Sequence, residues 1–186
     1  MLASRKKPPS RAGQRQWVLK PQDFAVALKL VGLGEARFTY AELAAAMHLS
    51  KFEAHSAVRR LIAARLAIGE DGAVRIAAPA LAAFAVSGAP YAYPPLRGGV
   101  TIGFPTAYAV PPLSLQVVSA DQSPPVWPHP QGPVRGLALA PLYASLPLAA
   151  AADADLYALL ALFDALRIGR ARERELATQM LRERIG

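Results

Sequence analysis

Residues 39–68 read TYAELAAAMHLSKFEAHSAVRRLIAARLAI and predict two short helices in succession. Thr39 and Glu42 have the spacing of a capping box, in which each side chain satisfies a backbone N–H group at the start of a helix. Ser50 and Glu53 repeat that spacing further along the stretch. Two capping boxes this close together indicate two helices that are separated by a tight turn.

The turn and the buried face of the second helix follow from the same stretch. We expect the first of these helices to end at Met47 and the second to continue to about Arg65. His48 and Leu49 form the turn between them. Helical spacing places an apolar set on one face of the second helix. This set comprises Ala54, Val58, Leu61 and Ile62.

The flanking sequence adds a helix before this stretch and a hairpin after it. Pro21 suits the first turn of a helix, and Gly32 and Gly34 suit its end. Residues 66–76 alternate like two short strands around a turn at 69–72. The apolar stripe of the added helix is Phe24, Ala27, Leu28 and Val31.

Four segments of this region, at 39–44, 49–50, 58–61 and 66–68, together resemble bacterial winged helix-turn-helix regulators of the MarR and ArsR kind. They read TYAELA, LS, VRRL and LAI. The resemblance implies a winged helix over residues 21–88 and DNA binding by its third helix. In that fold the second helix of the helix-turn-helix pair enters the major groove, and the hairpin rests on the neighbouring backbone.

One departure from these regulators is Arg65, because they usually carry glycine at the end of this helix. A left-handed backbone there would cost an arginine about 1 kcal/mol. We therefore expect the chain to rebuild the turn at Arg65 in another conformation.

The resemblance also implies which side chains meet DNA. The third helix carries a polar set that suits base and phosphate contacts, and an ordinary solvated helix face is the alternative. This set comprises Lys51, His55, Ser56, Arg59 and Arg60. Arg37 and Tyr40 at the start of the preceding helix, and Arg75 in the hairpin, are expected near phosphates. Phe52 is expected to pack beneath the first helix rather than to contact a thymine methyl group.

Charge is concentrated at the N-terminus. The chain has a net charge of +8, and residues 1–20 carry six bases and no acid. This segment is also rich in Pro, Ser, Gly and Gln, so we expect a flexible basic arm. Such an arm seeks phosphates, or it serves only as a solubilising tail.

Residues 89–186 form a second predicted unit, which is a partly β segment that ends in two helices. Residues 89–147 hold 13 of the 17 prolines, so helix there is limited to a turn or two. Short strands are expected near 100–104, 115–118 and 134–139, and glycines 98, 99 and 103 are expected to form a turn between strands. The chain is therefore predicted to be α+β.

The two terminal helices are predicted to begin near Asp155 and at Arg170, with a break at Gly169. Asp153 and Asp155 are interpreted as N-caps. The last helix carries a narrow apolar line that suits a seam between two helices of different chains. This line is Leu176, Met180 and Leu181.

These features favour a dimeric transcriptional regulator that binds double-stranded DNA. The alternative is an antitoxin-like protein whose C-terminal unit binds a partner protein while the winged helix represses the operon. The chain has no cysteine and no evident nucleophile–base or metal constellation, so we expect neither enzyme activity nor a cofactor. No apolar run approaches the length of a membrane span, so we expect a cytoplasmic protein without membrane contact.

Overall fold

The structure, a computed structural model, describes residues 17–34, 36–70, 73–117 and 123–186. Most of the predicted arm at 1–20 lies outside the described residues, as do Asp71 and Gly72 of the hairpin turn. Helices and a few short strands make an α+β fold, as the sequence predicts.

Three helices lead the chain into the fold: α1 (Pro21–Leu33), α2 (Tyr40–Ala46) and α3 (Lys51–Ala63). Both predicted capping boxes are confirmed. The Thr39 N–H donates to Glu42 Oε2 over 2.7 Å, and the Glu42 N–H donates to Thr39 Oγ1 over 3.1 Å. The corresponding distances between Ser50 and Glu53 are 2.9 and 3.2 Å.

Helices α2 and α3 end in the same way, with a left-handed residue that is not glycine. His48 has φ of 50° and Arg65 has φ of 59°. In each case two backbone N–H groups return to the last turn, which satisfies carbonyls that the helix leaves free. The predicted turn at His48 is confirmed. The expectation of a rebuilt turn at Arg65 is wrong, because these hydrogen bonds and the burial of Leu66 hold the backbone left-handed.

An antiparallel hairpin follows, formed by β1 (Ala67–Glu70) and β2 (Ala73–Ile76). Two helices that the sequence did not reveal come next: α4 (Ala78–Ser87) and the single turn α5 (Ala89–Ala92). Helix α4 is nearly all apolar, so its sequence has no alternation of polar and apolar residues by which to recognise it.

Three short strands form a small sheet: β3 (Arg97–Pro105), β4 (Pro125–Pro128) and β5 (Val134–Leu139). Strand β3 is antiparallel to the other two, which pair in parallel with each other. The strands predicted at 100–104 and 134–139 are confirmed. The strand predicted at 115–118 is wrong, because Leu113–Leu115 is a 3-10 turn and residue 118 lies outside the described part. A similar 3-10 turn precedes it at Ala107–Ala109, and the third strand of the sheet is β4.

Glycines in this sheet serve close approach rather than a turn. Gly98 and Gly99 lie inside β3 at a register shift, so the predicted turn is wrong. A Cβ atom on Gly103 would lie 2.1 Å from the carbonyl oxygen of Trp127, and one on Gly136 would lie 2.0 Å from that of Pro124. Because these two glycines have no Cβ atom, the strands can approach each other this closely.

Three helices complete the chain: α6 (Leu146–Ala151), α7 (Ala154–Ile168) and α8 (Ala171–Ile185). The two predicted terminal helices and the break at Gly169 are thereby confirmed. Asp153 caps α7 by accepting a hydrogen bond of 3.0 Å from the Leu156 N–H group, whereas Asp155 lies within its first turn.

Helix α1 lies at the centre of the fold. Six of its residues in succession, 23–28, are buried. The Phe24 ring lies 4.7 Å from that of Phe163 on α7 and 5.8 Å from that of Phe84 on α4. One core therefore continues across the boundary predicted at residue 88, which does not separate two hydrophobic cores.

A buried carboxylate attaches the small sheet to α7. Asp164 is 2% exposed and accepts hydrogen bonds of 2.7 Å from both Thr106 Oγ1 and Trp127 Nε1. Arg167, one turn later on α7, also donates to it. Because the charge is paired and its oxygens are occupied, the carboxylate is stable in the interior.

We predict that Arg65→Gly stabilises the protein by about 1 kcal/mol, because glycine adopts the left-handed conformation without the steric cost that arginine incurs. Urea unfolding measures the change. Arg65→Ala is the matched control and should bring no such gain, since alanine retains a Cβ atom. Equal gains in the two variants would show that the left-handed conformation is not the source of the effect.

Candidate nucleic-acid interface

Helix α3 turns one face to the core and the opposite face to solvent. Its core side consists of Ala54, Ala57, Val58 and Leu61, all fully buried. At 100° per residue, the positions opposite them include Phe52, Ser56 and Arg59, with Lys51 and His55 to one side. We call Phe52, Ser56 and Arg59 the outward stripe. Phe52 and Arg59 are exposed, and Ser56 is half-buried.

The expectation that Phe52 packs beneath the first helix is wrong. Its side chain is 79% exposed, because helical geometry places it directly opposite the buried face of α3. An aromatic ring in water therefore stands in the first turn of the helix that was predicted to read DNA.

The remaining polar set divides between solvent and neighbouring rings. Lys51 and Arg59 are exposed. The Arg59 guanidinium lies over the Trp17 ring at 5.1 Å, a contact that limits the freedom of this long side chain. His55 lies edge-on to the ring of Tyr40, with 4.8 Å between their centroids. Tyr40 is thus partly occupied in joining α2 to α3.

Arg60 does not belong to the set of α3 side chains that are available to contact DNA. Its Nε and Nη2 atoms donate to the two carboxylate oxygens of Asp23 over 2.6 and 2.7 Å. Asp23 is fully buried on α1, and only 12% of the Arg60 side chain is exposed. The hydrogen bonds to Asp23 raise the pKa of Arg60, so the guanidinium remains charged. Arg60 therefore holds α3 on α1 and is not free to contact DNA.

Arg37 and Arg75 are both exposed, and Arg37 lines a concave surface. That concavity has a volume of 450 Å³ and lies between residues 36–42 and strand β2, with Arg37 and Tyr40 in its lining. The side chains predicted near phosphates thus remain accessible beside the N-terminus of α2 and on the hairpin.

Two side chains from the segment before α6 donate hydrogen bonds to the turn between α2 and α3. Tyr143 Oη donates to the Met47 carbonyl over 2.8 Å, and Ser145 Oγ donates to the His48 carbonyl over 3.1 Å. Burial raises the pKa of Tyr143, which keeps the phenol protonated as a donor. Sequence reasoning missed these partners because nothing local links residues so far apart in the chain.

The apolar line on the last helix, predicted to contact a second chain, is buried or half-buried within this chain. Leu181 is fully buried in the chain's own core, and Leu176 and Met180 are half-buried against it. Helix α8 packs on α4 and α7. Because α4 was not predicted, the sequence offered no intramolecular partner for this apolar line. Leu181 is therefore not available to a second chain.

Three further features of the described part of the chain concern metals, cavities and membranes. No group of three or more His, Asp or Glu side chains is arranged there to hold a metal ion. A cavity of 570 Å³ lies beside the sheet and the junction of α7 and α8, lined by Arg97, Leu139 and Glu173 among others. None of the described helices has the length and apolar character needed to cross a bilayer.

Comparison of the chain with models of known protein families, with characterised proteins and with solved structures found no match.

We predict that the neighbours Arg59 and Arg60 differ sharply in their contribution to folding. Arg60→Ala leaves the Asp23 carboxylate buried without its partner and should lower the free energy of unfolding by about 3 kcal/mol. Arg59→Ala, the matched control, removes an exposed side chain and should change it by less than about 0.5 kcal/mol. Urea unfolding compares them. Similar losses would contradict a structural role specific to Arg60.

Proposed function

We propose that the chain binds double-stranded DNA through α3 and acts as a transcriptional regulator. The observation that carries this proposal is the outward stripe together with Lys51. These side chains project from the solvent-facing side of α3, and none of them is acidic. An α-helix with its side chains is about 10–12 Å in diameter, so a major groove about 12 Å wide accommodates it. The 13 residues of α3 give it a length of about 20 Å.

The surrounding elements support the same proposal. The order of three helices followed by a hairpin is that of a winged helix, in which the hairpin rests on the DNA backbone beside the recognition helix. Arg75 on β2 and Arg37 before α2 are exposed cations that could reach phosphates beside the recognition helix. Glu70 at the end of β1 is exposed as well and would be repelled by phosphates, so the flank of the hairpin is the better candidate for contact.

The ends of α3 are built rigidly, as readout requires. Hydrogen bonds from the side chain and backbone of Ser50 lower the pKa of Glu53, which keeps this cap ionised at neutral pH. Tyr143 and Ser145 hold the preceding turn, and Arg60 holds the helix on α1. The backbone of such a helix loses little further freedom when its side chains bind.

We predict that the affinity of the full chain for duplex DNA falls steeply with salt and depends on Arg59. Arg59→Gln should weaken binding about tenfold and make the salt dependence shallower by about one unit of slope. Fluorescence anisotropy measures this on duplexes that the chain selects from a randomised pool and on the region upstream of its own gene.

The matched control for that experiment is Arg184→Gln, which removes the same charge from an exposed position at the end of α8. It should leave affinity and salt slope unchanged. If no duplex is bound, the proposed function is wrong. If both variants weaken binding equally, the contact is a diffuse attraction of charge and not one made by α3.

A protein interface is the second proposal, and an exposed face of the small sheet favours it. Val100, Ile102 and Leu137 are 53%, 49% and 48% exposed. Val100 pairs with Leu137, and Ile102 pairs with Arg135, so all four side chains share one face. This face is a better candidate for contact between two copies than α8, whose Leu181 is buried. An antitoxin-like complex with another protein is the alternative use of the same face.

We predict that the chain is a dimer and that Ile102→Asp makes it a monomer, because a charge replaces an apolar contact at the centre of this face. Light scattering after size exclusion measures the mass. Leu115→Asp, at a site 79% exposed on a 3-10 turn, is the matched control and should stay dimeric. A monomeric wild type would overturn the homodimer, and co-purification with the product of the adjacent gene then tests the antitoxin-like alternative.

A further inference from the structure

Phe52 is the most exposed large apolar side chain on α3, and its position distinguishes it from an ordinary surface residue. Single exposed apolar residues are common and need no function. Phe52, however, stands at the head of the outward stripe, in the turn that a capping box holds rigid. The same face continues through Ser56 to Arg59.

Charge around Phe52 favours a polyanion as the occupant of this face. Lys51 precedes Phe52, and Arg59 follows two turns later on the same side, held by the Trp17 ring. Glu53 lies to the side of the stripe and is occupied by the Ser50 cap. A second copy of the chain would instead bring the same cations together, which electrostatic repulsion opposes.

We propose that Phe52 reads the 5-methyl group of a thymine in the major groove. The inference rests on the DNA binding proposed above and makes it more specific. Thymine is the one DNA base that presents an apolar group in this groove. A ring that is 79% exposed in the free protein gains from releasing water against such a group, while Arg59 and Lys51 contact guanine or phosphate.

The outward stripe also sets a length for the recognised site. Phe52 and Arg59 are seven residues apart, which is about 10 Å along a helix. Base pairs are stacked about 3.4 Å apart along the duplex axis, so these two contacts lie at most about three base-pair steps from each other, and fewer where α3 follows the incline of the groove. The thymine should therefore lie within a few base pairs of the position that depends on Arg59.

The test removes the methyl group and the ring separately. The probe is the duplex that the wild-type chain selects from a randomised pool, with each thymine replaced in turn by deoxyuridine, which lacks only the methyl group. We expect one position at which the replacement lowers wild-type affinity about fourfold. Phe52→Ala should bind the unmodified duplex more weakly and should not distinguish thymine from uracil at that position.

Two controls accompany the test. Phe52→Leu retains an apolar side chain and should keep part of the preference for thymine. Tyr91→Ala removes an aromatic ring that is 84% exposed outside α3, and it should retain the full preference. Circular dichroism checks that each variant is folded, as expected for exposed positions.

Each failure has a different meaning. If the chain selects no duplex, the proposed DNA binding fails, and this inference fails with it. If a duplex is selected but uracil is tolerated at every position, or if Phe52→Ala keeps the wild-type preference, the role of Phe52 is overturned while DNA binding stands. If Phe52→Ala lowers the mass of the free protein, the ring belongs to a contact between copies, and the inference is likewise overturned.

Discussion

The pair formed by Asp23 and Arg60 is the constraint on which the rest of the fold depends. Asp23 lies fully buried at the start of the central helix, where an unpaired carboxylate would be strongly unfavourable. Its oxygens accept two hydrogen bonds from Arg60 and one from the Lys20 N–H group. A bidentate pair forms only within a restricted range of distances and orientations. It therefore constrains both the position of α3 on α1 and the face that α3 turns to solvent.

A second set of contacts extends this order to the C-terminal half. Phe24 and Phe163 join α1 to α7, and Asp164 joins α7 to the small sheet through Trp127. The segment before α6 then returns to the turn between α2 and α3, where Tyr143 bonds to the Met47 carbonyl. The proposed DNA-binding helix is thus held by contacts from both halves of the chain.

Helix α3 shows most clearly what the sequence specifies and what it does not. The capping box at Ser50 and Glu53 predicted where α3 begins, and helical periodicity identified its buried face. Arg60 and Phe52 were misjudged for one reason. Sequence shows which face of a helix is apolar, but it does not show what covers the positions beside that face. Arg60 lies there against a buried acid, whereas Phe52 lies beyond the reach of α1.

The C-terminal half illustrates the same limit at longer range. The helices α7 and α8 were predicted because their apolar residues recur at helical spacing and Gly169 separates them. Strand β4 was missed, since its prolines argue against a strand and its pairing with β3 joins residues distant in the chain. The burial of Leu181 was not predicted because α8 packs partly against α4, and the sequence of α4 has no recognisable polar–apolar pattern.

Sequence by itself determined the local features of this protein: both capping boxes, the turn at His48, the paired terminal helices and the basic N-terminal segment. These depend on interactions between residues a few positions apart, so a linear pattern contains them. Only the tertiary structure decided the partner of Asp23, the burial of Leu181, the exposure of Phe52 and the continuity of the core beyond residue 88. Each of these depends on which distant surfaces meet, and a carboxylate or an apolar side chain specifies that it needs a partner without specifying where in the chain the partner lies.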